Sequence, residues 1–462
     1  MTLIKSISGI RGTIGGKVGE NLTPIDAVKF GCAYGSWLKY NSNDSDISVV
    51  IGRDARISGE MIQNLVQNSL ISLGINVVDL GLSTTPTVEL MVKEYNASGG
   101  IVITASHNPA EWNALKLLDK NGEFLNSQSG EEIIKISEND SYVFSEINDL
   151  GTISKTKDSM KKHIDSILNL EIVNTDLIKK TNLKVVVDGV NSSGGIIVPM
   201  LLNELGIDYS TIYCDPSGDF QHNPEPLKKN LNDLCQRVVE ERANLGIAVD
   251  PDVDRLVFIC EDGEVFGEEN TLVACADYVL SKNPGPTVSN LSSSRALNDI
   301  TKSYNQSYYT SAVGEVNVVS KMKSKKAVIG GEGNGGVIYP KSHYGRDAIV
   351  GIGLFLSLLC ERKIKVSELL SSYPKYYMTK EKITISSDVN LDDILIDLSK
   401  KYENEHVNTI DGLKIDFEES WVHLRKSNTE PIIRIYSEAK TLEKSIDLIK
   451  NIQEEIKSLI NL

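Results

Sequence analysis

Little in this 462-residue sequence suggests a disulfide scaffold, a membrane protein or a polyanion binder. The six cysteines (Cys32, Cys214, Cys235, Cys260, Cys275 and Cys360) are scattered, with no C-x-x-C pair. That spacing argues against a disulfide framework and against zinc, and it reads as small core hydrophobes in a reducing compartment. The longest apolar run, Ile349 to Cys360, is well short of the roughly 20 residues a membrane span needs. The stretch Met1–Gly9 has no apolar core of signal-peptide length. Basic residues are outnumbered 48 to 63, a formal charge of −15, which argues against nucleic acid or an anionic membrane as main partner. The expectation is a cytoplasmic protein, monomer or homodimer, that acts on a small molecule. If that molecule is an anion, its binding charges must sit inside local motifs.

With 40% hydrophobic and 24% charged residues the composition is that of an ordinary globular protein, too long for one hydrophobic core. Strand and helix patterns alternate in three blocks. The strands read as Ser48–Gly52, Gly74–Asp79 and Ile101–Ile103 in the first, and Leu183–Asp188 and Leu245–Val249 in the second. The third has Pro286–Leu291, Tyr308–Val313 and Lys326–Gly330. A last block clusters the strands Leu413–Phe417, Trp421–Leu424 and Ile432–Tyr436 between two helices. The predicted fold is therefore α/β: three related mixed-sheet domains without close sequence repeat, then a C-terminal α+β domain. Expected spans are 1–153, 154–256, 257–371 and 372–462.

Four motifs carry the chemistry. The apolar run Ile101–Ile103 ends abruptly in Thr104-Ala105-Ser106-His107-Asn108-Pro109, where Pro109 prevents simple continuation as sheet or helix. A buried strand ending in hydroxyls, an imidazole and an amide is a way to present a nucleophile, because active sites of open α/β sheets lie beyond the strands' carboxyl ends. In Asp250-Pro-Asp-Val-Asp-Arg255, Pro251 favours an extended chain whose alternate carboxylates converge, an oxygen cluster suited to Mg²⁺. Asp250, Asp252, Asp254 and Glu261 also fall at EF-hand spacing, but Arg255 stands where that loop needs glycine, and Leu256–Cys260 reads as a strand. Gly331-Glu-Gly-Asn-Gly-Gly336 matches G-x-G-x-x-G, yet Val337–Pro340 reads as strand, so the helix that would hold a dinucleotide pyrophosphate is missing. A turn bearing Glu332 and Asn334 can instead grip sugar hydroxyls. Arg425-Lys-Ser-Asn-Thr-Glu-Pro431, with Arg434 beyond it, offers the guanidinium, hydroxyl and amide donors a phosphate monoester needs.

A nucleophile, a cation cage, a sugar grip and a phosphate cradle suit phosphoryl transfer on a sugar phosphate in a cleft shared by four domains. Taken together and in this order, the four motifs make the sequence resemble the α-D-phosphohexomutase superfamily over essentially its whole length. That resemblance implies a four-domain, heart-shaped molecule around a central cleft and a phosphate carried on Ser106. It also implies one Mg²⁺ held by that phosphate and by Asp250, Asp252 and Asp254, and a hexose 1,6-bisphosphate as intermediate and activator. Arg11, in Ser8-Gly-Ile-Arg-Gly12, and Lys116, in Asn113-Ala-Leu-Lys, match superfamily positions near the serine. Arg11 and Arg255 are expected to steady the transferring oxygens, and Lys116 or His107 to act as general base, a lysine needing a lowered pKa for that role. Arg425, Ser427, Asn428, Thr429 and Arg434 are expected to hold the phosphate that is not reacting. Two departures stand out: Val190-Asn-Ser-Ser-Gly-Gly195 lacks a glycine that many relatives carry after the asparagine, and the sugar loop reads Glu-Gly-Asn where relatives often have Glu-x-Ser. The resemblance leans toward glucosamine 6-phosphate and glucosamine 1-phosphate as the interconverted pair, with mannose or glucose phosphates as the alternative. A metal-dependent sugar phosphatase and a catalytically silent sensor are the rivals. A Ser-His hydrolase is argued against by the missing G-x-S-x-G and because neighbouring Ser106 and His107 cannot easily face each other.

Overall fold

Residues 2–6, 9–42, 46–384, 390–426 and 432–460 are described by the structure, a computed structural model. Ser427, Asn428 and Thr429 of the expected phosphate cradle lie outside them. Four sheets follow one another along the chain. In the first, the neighbours Asn76–Leu82, Ser48–Arg53, Gly99–Ile103 and Trp112–Leu118 are parallel except for the last, which turns back antiparallel. The second repeats that order with Asp208–Ile212, Lys184–Asp188, Leu245–Val249 and Leu256–Cys260. The third repeats it again with Tyr308–Ser311, Thr287–Asn290, Ile329–Glu332 and Gly336–Ile338. The expected kinship of three α/β units is therefore a kinship of topology. Each unit ends in an antiparallel hairpin whose turn follows the third strand, and those turns hold Ser106, Asp250–Arg255 and Gly333–Gly335.

The expected partition needs adjusting at two places. Ile153–Lys155 hydrogen-bonds to Asn76–Leu82 as an edge of the first sheet, and Leu256–Cys260 belongs wholly to the second, so both sheets run past 153 and 256. An N-terminal pair, Ile4–Ser6 and Gly9–Thr13, extends the first sheet beyond Trp112–Leu118. The helix Pro24–Asn41 covers that sheet. Its start is set by proline in the first turn and by a reciprocal cap in which Thr23 N–H donates to Asp26 and the Thr23 hydroxyl accepts from Asp26 N–H.

Sheets two and three share one apolar cluster running from Met160 to Tyr373. The helix Ala348–Arg362 is buried through nearly its whole length there, and Phe355 stacks on Phe258 with ring centres 3.7 Å apart. All-round burial explains why its sequence is apolar without amphipathic contrast. No helix among the described residues is long and apolar enough to cross a membrane. All six cysteines are free thiols. The last unit is a five-stranded antiparallel sheet with the helices Leu391–Lys401 and Leu442–Ile460 on its apolar face.

Candidate active site

Ser106 sits just beyond the fully buried strand Gly99–Ile103 with φ +50°, a left-handed conformation uncommon for a residue with a side chain. Arg56, itself fully buried, holds the loop in that shape. Its Nη2 donates to the carbonyls of Ser106 and Asn108, its Nη1 to those of Pro109 and Trp112, and its Nε to Asp54. Asp54 in turn accepts from Thr104 Oγ1, which accepts from Ser106 N–H. Sequence reasoning missed Arg56, because nothing in Gly52-Arg-Asp-Ala-Arg-Ile57 separates a buried arginine from a surface one.

The serine hydroxyl donates to Asp250 Oδ2 at 2.6 Å, across the boundary between the first two units. Asp250, Asp252 and Asp254 are fully buried, with donor oxygens all within 4.8 Å of one another. The expected extended chain is instead a turn, with Val253 at φ +63° and its N–H donating to the Asp250 carbonyl, and Asp250 Oδ1 accepts the backbone N–H groups of Asp254 and Arg255, which folds the loop over its first carboxylate. Asp252 Oδ1 and Asp254 Oδ1 are buried and have no hydrogen-bond partner among the described residues. Three hard oxygen donors, two of them with lone pairs unused, fit Mg²⁺. Burial and the neighbouring carboxylates raise Asp250 well above the usual range; burial would do the same to Asp252, but the Lys116 ammonium depresses it.

Lys116 and Arg11 stand on neighbouring strands of the first sheet. Lys116 lies opposite Val102 and Arg11 opposite Ala114, which puts both cations on one face of the sheet. Lys116 Nζ is 2.6 Å from Asp252 and 3.3 Å from Asp254. Burial alone would lower its pKa, but the two aspartates outweigh that and raise it. The lowered pKa a lysine base requires is thus reversed here, and Lys116 is an ammonium. Burial and the cations Arg255, Arg346 and Lys116 push His107 down to about 2, so its ring is neutral. His107 Nδ1 lies 3.4 Å from Ser106 Oγ, and Arg255 Nη2 donates to its Nε2. The expectation that adjacent Ser106 and His107 cannot face each other fails, because the positive φ of Ser106 folds the chain back on itself. Arg255 also pairs with Glu225 at 3.1 Å.

Two further residues that sequence reasoning missed lock the aspartate loop. Thr85 donates to Asp252 through its hydroxyl at 2.5 Å and its backbone N–H to the Asp252 carbonyl. Ser192, in the segment that departs from the superfamily pattern, accepts from Ala55 N–H and donates to the Pro251 carbonyl. Its hydroxyl thereby ties the serine-bearing unit to the aspartate loop.

The sugar loop is a tight hairpin. Glu332 is buried and accepts from Asn290 Nδ2 and Gly314 N–H, while Asn334 Oδ1 accepts from Gly336 N–H. Gly335, at φ +86°, lies so close to the Leu256 backbone that a side chain would clash, and its carbonyl accepts from Leu256 N–H. Arg346, another residue the motifs did not point to, bridges Glu332, Glu315 and Asp254. In the last unit Arg425 and Arg434 are register partners on neighbouring strands, and Arg425 pairs with Asp411 at 2.9 Å. Burial, and after it the Arg434 charge, lower the Arg11 pKa.

Residues 3–143, 161–263 and 268–377 match the family domains described as phosphoglucomutase/phosphomannomutase, alpha/beta/alpha domains I, II and III, and residues 381–456 match its C-terminal domain. A phosphoglucomutase/phosphomannomutase of Thermococcus kodakarensis is 37% identical over 456 residues, 96% of this chain and 99% of that protein. A probable phosphoglucosamine mutase of Pyrococcus horikoshii is 34% identical over 457 residues, 98% of this chain and 97% of that one. The crystal structure of a phosphoglucomutase/phosphomannomutase family protein from Burkholderia thailandensis superposes with a TM-score of 0.85, at 24% identity over 99% of this chain and 98% of that chain.

Proposed function

The chain belongs to the phosphoglucomutase/phosphomannomutase family and is a phosphohexomutase, and from that premise we propose that it interconverts glucosamine 6-phosphate and glucosamine 1-phosphate. The observation that carries the phosphoryl-transfer part of this reading is the Ser106 hydroxyl hydrogen-bonded to Asp250 inside a buried aspartate cluster flanked by Lys116 and Arg346, and the amino sugar is supported by the names of relatives such as the Pyrococcus protein. In the forward half-reaction the bond between Ser106 Oγ and phosphorus breaks as a sugar hydroxyl oxygen bonds to that phosphorus. The hydroxyl proton passes to a base, and a hexose 1,6-bisphosphate results. After the bisphosphate turns round, its other phosphoryl group moves to Ser106 Oγ and a proton returns to the sugar oxygen. Transfer of this kind asks for positioning and charge stabilisation more than covalent help.

The residues divide that work. Lys116, an ammonium, and the guanidiniums of Arg11 and Arg255 face the phosphoryl oxygens. Both expected bases are weak as the site stands: the cations that keep His107 neutral also depress its basicity, and the Lys116 ammonium has no lone pair to offer. Asp250, Asp252 and Asp254, with the phosphate on Ser106, would hold Mg²⁺, which supplies Lewis-acid neutralisation of the transferring group. Glu332 and Asn334 orient the sugar, and Arg425 and Arg434, with Ser427, Asn428 and Thr429, grip the second phosphate. The name of the Thermococcus relative, phosphoglucomutase/phosphomannomutase, favours a second reading, in which mannose and glucose phosphates are the substrates. Comparison of kcat/KM for glucosamine, glucose and mannose 6-phosphates separates the two. The amino sugar is expected to lead by about tenfold or more. A lead of that size for mannose or glucose phosphate overturns the amino-sugar reading, and release of inorganic phosphate matching substrate loss overturns the mutase.

A further inference from the structure

Arg346 belongs to none of the four motifs, yet it lies in the segment 343–347 where three units of the molecule are locked together. His343 Nδ1 is 3.2 Å from Glu89, on the helix Thr85–Glu94 whose first residue holds Asp252. Asp347 Oδ2 takes the Nε2 atoms of His163 at 3.0 Å and of His343 at 3.3 Å. Gly345 packs so tightly on Glu89 that a side chain there would meet its carboxylate. The backbone on both sides of Arg346 is therefore fixed.

From that fixed point the buried guanidinium reaches three carboxylates in three directions. Nη2 is 2.7 Å from Asp254, Nε 2.9 Å from Glu315 and Nη1 3.2 Å from Glu332. Asp254 belongs to the aspartate loop and Glu332 to the sugar loop, so one rigid planar fork spans both. A carboxylate that shifts at one prong turns the fork against the others, which a point-charge ammonium would not transmit. Arg346 engages Oδ2 of Asp254, and the same carboxylate's Oδ1 is, with Asp252 Oδ1, one of the aspartate loop's two buried oxygens without a hydrogen-bond partner among the described residues. The arginine thus fixes which oxygen remains to meet a cation.

We propose that Arg346 is a positioning residue that couples the two loops, so that hexose phosphate bound at Glu332 and a divalent cation bound at Asp254 strengthen each other's binding. This rests on reading Asp250–Asp254 as the cation site and Glu332 as the sugar grip. Linkage makes the coupling reciprocal. A brace that served stability alone would leave the two binding events independent.

The test measures Mn²⁺ affinity by electron paramagnetic resonance, with and without saturating hexose 6-phosphate of the kind the turnover comparison selects. It uses the full chain carrying Ser106→Ala, so that nothing turns over. The sugar phosphate is expected to tighten Mn²⁺ binding by about tenfold in that parent. With Arg346→Lys added, the factor should fall to within about twofold of unity while circular dichroism stays native. Glu315→Gln, which keeps the guanidinium and weakens its anchor, should give an intermediate factor and serves if Arg346→Lys does not fold. No coupling in the parent, or undiminished coupling in the folded variants, overturns the inference. Absence of Mn²⁺ binding both in this parent and in the chain phosphorylated on Ser106, or a Mn²⁺ signal that survives Asp252→Ala, instead overturns the cation-site reading beneath it.

Discussion

Arg56 shows how much of a reactive loop depends on a residue that never meets the substrate. Its guanidinium is fully buried, and its donors reach one carboxylate and four backbone carbonyls of the serine loop. Removing it strands Asp54, whose carboxyl burial already pushes above the usual range, together with those carbonyls. Arg56→Met should therefore cost about 3–5 kcal/mol in urea unfolding and abolish phosphate loading of the serine. An unfolding midpoint equal to that of the parent would show that the loop holds itself. At this scale the sequence is readable where proline or charge density leaves few conformations. Pro109 and Pro251 mark Ser106 and the aspartates, whereas Arg56, Thr85, Ser192 and Arg346 act through partners distant in the chain and carry no local mark.

Among the elements, the buried parallel strands were the most legible, since short β-branched runs such as Val49–Ile51 and Val185–Val187 have few other homes. The helix Pro24–Asn41 was not read, because Gly31, Gly35 and Ser36 on its buried side blur the apolar stripe, although Thr23-Pro-Ile-Asp26 is a start signal. Within the strand Trp112–Leu118 the sequence marks only Asn113-Ala-Leu-Lys116, as a motif and not as a strand, and the edge strand Tyr377–Thr384 is too polar to betray itself. Lys326 was expected to open a strand, yet it ends the helix Glu315–Lys325 in a left-handed conformation, and the strand begins at Ile329. The segment 343–347 gives a prediction of its own. Burial would lower the His343 pKa, but its contacts with Asp347 and Glu89 raise it to about 10. A raised folded pKa means that this contribution is complete below about pH 6.5 and is lost as the pH climbs through 10. The urea unfolding free energy of the parent should therefore fall between pH 6.5 and pH 10 by on the order of 2 kcal/mol more than that of His343→Gln. Parallel pH profiles would refute a charged His343.

In the whole molecule, three copies of one strand order each place a turn beyond the third strand, and those turns converge. Ser106 meets Asp250, Arg346 joins Asp254 to Glu332, and Lys116 reaches both Asp252 and Asp254. The last unit is fastened to the third by Arg295, which donates to the carbonyls of Phe417, Glu418 and Ser420, and by Lys414, which donates to that of Leu291. A chain of net charge −15 thus gathers Lys116 and Arg346 beside its buried aspartates, the local cations that binding an anion in a repelling field would require. The central claim is that the Ser106 oxygen carries phosphate between the two ends of one sugar. Intact-mass spectrometry after incubation with hexose 1,6-bisphosphate and Mg²⁺ tests it most directly. The parent should gain one phosphate, which substrate removes and Ser106→Ala never acquires; a phosphate load unchanged in Ser106→Ala would contradict the account.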